Sequence, residues 1–274
     1  MRIEKGTRAV VTGGGRGLGR AICHDLLRRG GKVLVTDVSL EAAEATVAGN
    51  PDARAFRCDV TKPAEVEAAA VEIERVFGGC ELLVNNAGVA VSGPVGKVSV
   101  DDWRWLFEIN VFGIVNGLNA FVPRFKKAGR GHVLNVASAA GLTSLPIMSA
   151  YNASKAAVVA LSETMYGEFL DTPLGVTVLC PTFFRTSLAD PGVSRGPEWF
   201  QKIVLKMMSY DRLGAEGVAR YALDAVNEGM LYALPHKDGR KFWRLKRYAP
   251  NWYARQGKKA VEILARRAGV VPEW

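Results

Sequence analysis

The sequence is poor in cysteine, and its few cysteines are scattered. Four occur in 274 residues, at positions 23, 58, 80 and 180, and no two of them form a Cys-x-x-Cys pair. Disulfide frameworks and structural zinc sites need paired or closely spaced cysteines. We therefore expect reduced, mostly buried thiols, no disulfide bond and no metal site, which is typical of a cytoplasmic protein.

Long apolar runs are also missing. No stretch of roughly eighteen consecutive apolar residues occurs, so no transmembrane helix is expected. Residues 1–6 lead directly into a strand-like pattern, without the apolar stretch that a signal peptide would place there. Together with the cysteine usage, these patterns predict a cytoplasmic location.

Outside one segment, neither sign of charge is in excess. The net charge is +9, from 36 basic and 27 acidic residues, and residues 236–269 alone contain 11 basic and 2 acidic residues. The basic character therefore belongs to the C-terminal part, which argues against a protein that binds nucleic acid over its whole surface. The hydrophobic fraction of 49% is that of a globular protein, and α/β chains of this length often form one domain.

Strand-like and helix-like patterns alternate along the chain, with a segment of mixed character at 186–213. The predicted strands cover residues 7–12, 32–37, 53–58, 81–84, 132–137, 176–179 and 230–234, and the predicted helices cover residues 17–29, 40–48, 63–77, 101–127, 149–170 and 215–227. This alternation predicts right-handed crossovers and a Rossmann-type, doubly wound parallel sheet of about seven strands in a three-layer αβα arrangement. We expect one such domain over residues 1–235 and a basic, helical C-terminal extension over residues 236–274.

A glycine-rich loop follows the first predicted strand, with the sequence Thr12-Gly13-Gly14-Gly15-Arg16-Gly17-Leu18-Gly19. Glycines between a strand and a helix allow a tight turn and let the backbone approach a pyrophosphate, which the N–H groups of the helix terminus then bind. The spacing differs from the commoner Gly-x-Gly-x-x-Gly, and ordinary turns also need glycine. The pattern indicates a dinucleotide site formed by Gly13, Gly15, Arg16, Gly17, Leu18 and Gly19.

Asp37 ends the second predicted strand, eighteen residues after Gly19. At this place in such folds an acidic side chain accepts hydrogen bonds from the adenine ribose and repels a 2′-phosphate. Arg16 could instead meet a 2′-phosphate or simply pair with Asp37, and Asp37 could be an ordinary solvated strand end or helix cap. We expect the carboxylate to dominate, so NAD is favoured as the cofactor and NADP stays open.

Tyr151 and Lys155 stand four residues apart in a predicted helix and therefore share a face. A free tyrosine has a pKa of about 10, and a nearby ammonium lowers the pKa, which suits a general acid/base. Ser138 follows the fifth predicted strand, at a strand end where such sheets bind ligands. A lone Tyr-x-x-x-Lys pair is more often accidental, but beside a dinucleotide loop it predicts proton transfer to a carbonyl or from an alcohol.

These motifs, with Asn85-Asn86-Ala87-Gly88 after the fourth predicted strand, appear in the order and spacing of the short-chain dehydrogenase/reductase family. Residues 5–235 resemble its branch with a Thr-Gly-x-x-x-Gly-x-Gly loop and a Tyr-x-x-x-Lys active site. The resemblance implies an NAD(P)-dependent oxidoreductase that acts on CH–OH groups. Oxidation would proceed by proton removal by Tyr151 and hydride transfer to the nicotinamide.

The same resemblance implies further site residues. Asn110 would complete a catalytic tetrad with Ser138, Tyr151 and Lys155 by holding a water that links the lysine to solvent. Additional cofactor contacts would come from Asp59, Val60, Asn86, Ala87, Gly88, Tyr151, Lys155, Pro181 and Thr186. The family's usual Pro-Gly after the sixth strand is Pro181-Thr182 here, which leaves that loop less free at residue 182.

Substrate contacts in the family come from the loops after strands four, five and six, and these loops are strongly apolar here. They favour a hydrophobic secondary alcohol or its ketone, such as a steroid, terpenoid, retinoid or aromatic compound. Arg185 and Arg195 leave a 3-oxoacyl thioester open, and a non-catalytic protein that senses the dinucleotide is an alternative of another class. The proposed substrate contacts are Val91, Pro94, Leu145, Phe183, Phe184 and Trp199, each of which could equally belong to the core.

The basic extension mixes cations with aromatic residues over 239–254, and a second helix-like stretch follows over 258–267. Such a segment can pack its apolar face on the body or on a partner subunit, or lie on an anionic membrane surface. We favour packing or the formation of a lid, and keep a weak membrane contact as the alternative. The family resemblance also implies a homodimer or homotetramer joined by the two long helices. Nucleic-acid binding through the tail is a third reading, which would require salt-dependent binding by a patch that faces one way, and we expect no nucleic-acid partner.

Overall fold

The computed structural model describes residues 1–190, 192–267 and 269, without the side chain of Ala189. Pro191, in the segment of mixed character, lies outside the described residues, as do residues 268 and 270–274 of the extension. The strands are β1 (Arg8–Thr12), β2 (Lys32–Asp37), β3 (Ala53–Arg57), β4 (Leu82–Asn85), β5 (Ala90–Val91), β6 (Gly131–Val136), β7 (Leu174–Leu179), β8 (Ser194–Arg195) and β9 (Tyr232–Ala233).

Seven strands form one parallel sheet in the order β3-β2-β1-β4-β6-β7-β9. The chain leaves β1 toward one edge and returns through β4 toward the other, so the strand order reverses between β1 and β4. In open α/β sheets, ligands bind outside the carboxyl ends of the strands at such a reversal. The predicted doubly wound sheet is confirmed, and its topology places a ligand site at the glycine loop.

The helices are α1 (Gly17–Arg28), α2 (Leu40–Val47), α3 (Pro63–Phe77), α4 (Val100–Phe107), α5 (Gly113–Ala128), α6 (Ala139–Thr143), α7 (Ser149–Phe169), α8 (Glu198–Ser209), α9 (Gly214–Asn227), α10 (Lys237–Tyr248) and α11 (Pro250–Arg267). Serine side chains cap several of them. Ser39 accepts from the N–H of Ala42 at the start of α2, and Ser99 accepts from the N–H of Asp102 at the start of α4. These caps satisfy N–H groups that have no partner within the helix.

Helices cover both faces of the sheet, as the apolar runs in the strands predict. Val11 of β1 points to the core under α1 and α9, whereas Val10 points to the core under α3, α5 and α7. Side chains alternate between faces along a strand, so a strand buried on both sides must be apolar throughout. Phe121 and Phe125 of α5 are the largest fully buried side chains of the core under α3, α5 and α7.

The predicted long helix near 101–127 is present as a continuous helical stretch, Val100–Ala128, with a π-helical turn over Glu108–Phe112. By length and composition this stretch could cross a membrane, which the absence of a long apolar run did not lead us to expect. Core helices pass the same test, and here α5 packs on the sheet through Phe121 and Phe125.

The segment of mixed character contains structure that its prolines and glycines conceal. β8 pairs with β5 in a separate two-stranded parallel sheet, a three-residue 3₁₀ turn covers Ser187–Ala189, and α8 runs for twelve residues. The short helix α6 also escaped prediction, because five residues carry too little periodicity. The elements β5, β8 and α8 stand above the carboxyl edge of the sheet, where they close one side of the ligand site.

The extension consists of α10 and α11, and the break between them falls at Ala249-Pro250, ahead of the break that the sequence suggested near residue 255. Proline cannot donate its N–H and suits the first turn of a new helix. Tyr253, Gly257, Val261 and Ala265 recur every four residues and are buried. Since α10 contacts α6 and α11 contacts α8, the extension packs on the body of the same chain.

Candidate active site

The glycine loop joins β1 to α1 and shapes one end of the cavity. Gly17 opens α1 with φ of +49°, a conformation that favours glycine, and a Cβ on Gly19 would collide with the carbonyl oxygen of Gly13. Arg16 precedes α1 without forming a side-chain cap, and the first turn carries no acidic residue. The first N–H groups of α1 are thus left for an anion, and the loop fits a pyrophosphate.

Asp37 stands where β2 ends and holds the glycine loop. Its two carboxylate oxygens accept hydrogen bonds from the backbone N–H of Gly15 at 2.9 Å and of Ser39 at 3.0 Å. Among the described residues Asp37 forms no ion pair with Arg16, so the suggested pairing of these two side chains is wrong. Both side chains line the cavity, where Asp37 can still accept from a ribose.

Two of the loop glycines predicted to contact the cofactor, Gly15 and Gly17, do not line the cavity. Gly15 donates to Asp37, and an added Cβ would lie 2.7 Å from the Cβ of Ala42. Gly17 faces the hydroxyls of Thr186 and Ser187, so the loop after β7 closes onto the glycine loop. Gly13, Arg16, Leu18 and Gly19 line the cavity directly.

The opposite wall of this cleft is formed by Asp59, Val60, Asn86, Ala87 and Gly88, which all line the same cavity. The Asn86 amide donates to the carbonyl oxygens of Thr12 at 2.8 Å and Gly13 at 3.0 Å. The Thr12 hydroxyl in turn accepts from the N–H groups of Asn86 and Ala87. These bonds tie the end of β4 to the glycine loop, a role for Thr12 that the sequence did not reveal.

Ser138, Tyr151 and Lys155 line the cavity together, where the nucleotide cleft meets an apolar pocket. Ser138 follows β6 and caps α6 by accepting from the N–H of Ala140 at 3.1 Å. Tyr151 and Lys155 lie one turn apart on α7, with the lysine Nζ 5.8 Å from the centroid of the tyrosine ring. A substrate oxygen placed here can meet the serine and tyrosine hydroxyls at once.

Burial controls the protonation of this set. It raises the pKa of Tyr151 to about 12, against a hydrogen bond with Ser138 that favours the phenolate. It also lowers the pKa of Lys155 to about 8. The lowered tyrosine pKa expected from the neighbouring lysine is not found, because loss of solvation outweighs that attraction in a buried site. At neutral pH Tyr151 is therefore a protonated phenol that can donate a proton.

Asn110 is fully buried in the π-helical turn and stands behind the cavity rather than in its wall. Its amide accepts from the N–H of Val89 at 2.9 Å and donates to the carbonyl oxygen of Val89 at 3.0 Å. It also donates to the Ser154 hydroxyl at 3.2 Å. Asn110 thus connects the loop after β4 to α7, beside Lys155, whose Nζ donates to the carbonyl oxygen of Val136 at 2.9 Å.

The cavity has a volume of about 1100 Å³ and extends from the glycine loop to the C-terminal helices. Of the six proposed substrate contacts, Val91, Leu145, Phe183 and Phe184 line it. Pro94 and Trp199 do not. Pro94 lies on the turn beyond the wall, where its carbonyl accepts from the N–H of Lys97, and the Trp199 ring packs edge-on against Phe200, which faces the cavity instead.

Several cavity residues stand at positions that the sequence did not connect with the site. They are Val204, Met207 and Met208 of α8 and Phe242, Leu245, Trp252, Tyr253 and Gln256 of the extension. Their apolar spacing is also that of ordinary core helices, so the sequence offered no separate signal for them. The aromatic residues of the extension were expected to pack on the body, to form a lid or to contact a membrane, but none of them was proposed as a substrate contact.

The unusual Thr182 is bonded to the start of the extension. Its N–H donates to Nδ1 of His236 at 3.2 Å, and Nε2 of His236 lies 3.3 Å from Oδ1 of Asp211. Asp211 also accepts from the N–H groups of Leu213 and Gly214, which with His236 keep its pKa below the usual range despite burial. The residues that begin the extension therefore fix the loop after β7. Thr182 has less backbone freedom than the glycine usual at this position, and its hydrogen bond to His236 holds the loop in place.

Comparisons with known proteins agree with this fold. The family model of short chain dehydrogenases matches residues 7–194. The chain is 33% identical over 186 residues to the 3-alpha-(or 20-beta)-hydroxysteroid dehydrogenase of Mycobacterium tuberculosis, which covers 68% of this chain and 72% of that protein. It is 36% identical over 187 residues to the D-threitol dehydrogenase of Mycolicibacterium smegmatis, covering 67% and 72% of the two chains.

A solved structure is similar over nearly the whole length. The crystal structure of a short-chain dehydrogenase/reductase from Burkholderia phymatum in complex with NAD superposes with a TM-score of 0.84 at 33% identity, covering 90% of this chain and 95% of that one. The fold, the matched family model and the relatives agree with one another. The chain therefore belongs to the short-chain dehydrogenase/reductase family of NAD(P)-dependent oxidoreductases that act on CH–OH groups.

Proposed function

We propose that this protein interconverts a hydrophobic secondary alcohol and its ketone, of steroid, terpenoid, retinoid or aromatic type, and uses NAD in preference to NADP. The observation that carries this proposal is the position of Ser138, Tyr151 and Lys155, which line one cavity at the junction of a dinucleotide cleft and an apolar pocket. A hydroxysteroid dehydrogenase among the relatives supports the substrate class.

The residues of the cleft fit a dinucleotide. The uncapped N-terminus of α1 and the glycine loop would hold the pyrophosphate, and the Asp37 carboxylate would accept from the adenine ribose. A 2′-phosphate would meet the same carboxylate at close range, which is the reason for preferring NAD. When bound, the nicotinamide supplies the carbon that accepts or gives the hydride.

The chain itself supplies the proton and positions the substrate. The hydroxyls of Ser138 and Tyr151 hold the substrate oxygen, and Tyr151, protonated at neutral pH, gives its proton in reduction. In oxidation it must first lose that proton and then takes the alcohol proton as the phenolate. The Lys155 ammonium stabilises negative charge that develops on the tyrosine oxygen. Asn110 keeps the Val89 loop and α7 in register, so the three catalytic side chains stay aligned.

The apolar walls argue against the thioester alternative. Arg195 is already engaged by Asp102 at 2.7 Å and lies 3.8 Å from the centroid of the Trp105 ring. Arg185 is exposed and does not line the cavity. Neither arginine is therefore free and in place to clamp an anionic carrier group at the catalytic set, whereas an uncharged, apolar substrate needs no such clamp.

The test is turnover with NAD or NADP and a panel of apolar secondary alcohols and ketones, followed by the absorbance of the reduced nicotinamide. Tyr151→Phe should lower kcat at least about a hundredfold, since it removes the general acid/base. Tyr210→Phe is the matched control, because Tyr210 is 66% exposed and does not line the cavity. Tight NADH binding by both variants without turnover of any substrate by the unaltered protein would instead favour the dinucleotide sensor.

We infer in addition that the protein forms a homo-oligomer through the outer faces of Val100–Ala128 and α7. Val100 and Phe112 expose 63% and 50% of their surface on the first of these helices, and Tyr166 exposes 38% on α7. An interface over these side chains accounts for the apolar composition of Val100–Ala128. Light scattering should give a dimer or tetramer, and Phe112→Asp should reduce the mass. A monomer at micromolar concentration would contradict this inference.

A further inference from the structure

The mouth of the substrate cavity is built by the C-terminal extension. Phe242 and Leu245 of α10 and Trp252 of α11 line the cavity, yet Phe242 is 44% and Trp252 is 52% exposed. These aromatic rings therefore reach from the cavity wall to the outer surface. An apolar molecule that enters or leaves the cavity on this side passes between them.

A stripe of cations runs along α10 beside this mouth. Lys237, Lys241 and Arg244 follow one another by four and three residues, so they share a face of the helix, and Arg240 lies next to them. With Leu245 and Tyr248 they line a shallow groove. In the described part of the chain none of these four cations forms an ion pair with a carboxylate. Their charge is thus available to an external anionic partner.

Exposed apolar side chains accompany this charge. Tyr248 at the end of the stripe is 84% exposed, and Ile263 on α11 is 51% exposed. Nucleic acid would complement the cations but would offer little to the aliphatic Ile263 or to the cavity mouth. An anionic lipid surface complements both, since headgroups attract the cations while aromatic and aliphatic side chains enter the boundary with the acyl chains.

We propose that the outer surface of α10 and α11 docks the protein on anionic membranes, with the mouth of the substrate cavity facing the lipid. The inner faces of the same helices remain packed on the body through Gly239, Tyr253, Gly257, Val261 and Ala265. Docking therefore needs no unfolding of the extension. It places the cavity where an apolar alcohol or ketone concentrates, which is the reaction partner that the proposed function requires.

The full-length protein should be tested by co-sedimentation with vesicles of phosphatidylcholine containing phosphatidylglycerol, and with vesicles of phosphatidylcholine alone. We expect binding to the anionic vesicles that weakens at high salt. The double variant Lys241→Glu/Arg244→Glu should bind at least about tenfold more weakly, as two basic residues near an anionic surface are replaced by acidic ones. Tyr248→Ser should weaken binding by a few fold through loss of interfacial apolar contact.

The matched control is Arg2→Glu/Lys5→Glu, which makes the same charge change at two exposed residues ahead of β1, outside the extension and the proposed oligomer interface. It should bind vesicles as the unaltered protein does. Equal binding by the two double variants, or equal binding to neutral vesicles, would overturn the proposal. So would a double-stranded DNA oligonucleotide that competes with the vesicles, or loss of self-association in the α10 variant alone, since either would assign the surface to another partner.

NADH binding, followed by fluorescence, checks that each variant is folded. Because the vesicle assay reads no turnover, its failure would leave the proposed oxidoreductase function intact. Conversely, if the protein binds vesicles but oxidises no apolar alcohol, the membrane-docking proposal would stand and the proposed substrate class would be wrong.

Discussion

Replacing Lys155 by methionine should make the protein more stable at neutral pH while it abolishes activity. Lys155 is 4% exposed, and its ammonium donates one hydrogen bond, to the carbonyl oxygen of Val136. Burial disfavours the charged form and lowers the pKa to about 8 from an ordinary value of 10.5. Methionine has a similar length, fills the same space and carries no charge that must lose its hydration.

The magnitude follows from the pKa. A fall from 10.5 to about 8 corresponds to about 3 kcal/mol by which the fold disfavours the charged lysine. Below pH 8 both the folded and the unfolded lysine are protonated, so this penalty is present in full. Between pH 8 and 10.5 the unfolded chain binds more protons than the folded one, so the stability of the unaltered protein rises with pH. Loss of the hydrogen bond to Val136 should subtract about 1 kcal/mol at any pH.

The assay is urea unfolding of both proteins at a series of pH values from 7 to 10. Lys155→Met should exceed the unaltered protein by about 2 kcal/mol at pH 7, and this advantage should disappear toward pH 10. Lys127→Met, at an exposed lysine of α5, is the control and should show no comparable pH dependence. A variant less stable than the unaltered protein at pH 7, or a difference that does not vary with pH, would refute the reasoning.

Three further variants test other parts of the site. Asp37→Asn turns an amide N–H₂ toward one of two backbone N–H groups, so we expect a loss of about 1–3 kcal/mol in unfolding free energy and a higher ratio of NADP to NAD turnover, measured with both cofactors. Gly19→Ala should weaken NADH binding at least about tenfold in a fluorescence titration, because the Cβ collides with the loop, whereas Gly167→Ala, with open space around it in α7, should bind normally. His236→Ala removes the acceptor of the Thr182 N–H and should raise KM for the dinucleotide severalfold with a smaller change in kcat, by steady-state kinetics.

The sheet could be predicted because its strands are buried on both faces. Residues such as Val33, Leu34 and Val35 in β2 must all be apolar, and they leave an uninterrupted signal that glycines delimit. The glycine loop and the Tyr151/Lys155 pair were visible for a related reason. Both motifs depend on the types of a few residues and on short spacings within one loop or one helix, and a sequence shows these directly.

The rest of the site depends on contacts between distant segments. Tyr253 reaches the cavity only because α11 folds back over α8, and the link from Thr182 to His236 spans fifty-four residues. Local periodicity contains neither fact. The tyrosine pKa was predicted in the wrong direction for the same reason, since the depth of burial of Tyr151 is set by the whole fold.

The π-helical turn over Glu108–Phe112 has a consequence for insertions and deletions. A π turn accommodates one more residue than an α-helical turn and often occurs at functional sites. Deleting one residue there would restore a regular helix and keep the phase of α5, so Phe121 and Phe125 would still face the sheet, but Asn110 would lose the position that the widened turn gives it. The widened turn thus sets the direction of Asn110 independently of the core, whereas a one-residue deletion between Gly113 and Phe121 would rotate both phenylalanines about 100° away from the sheet.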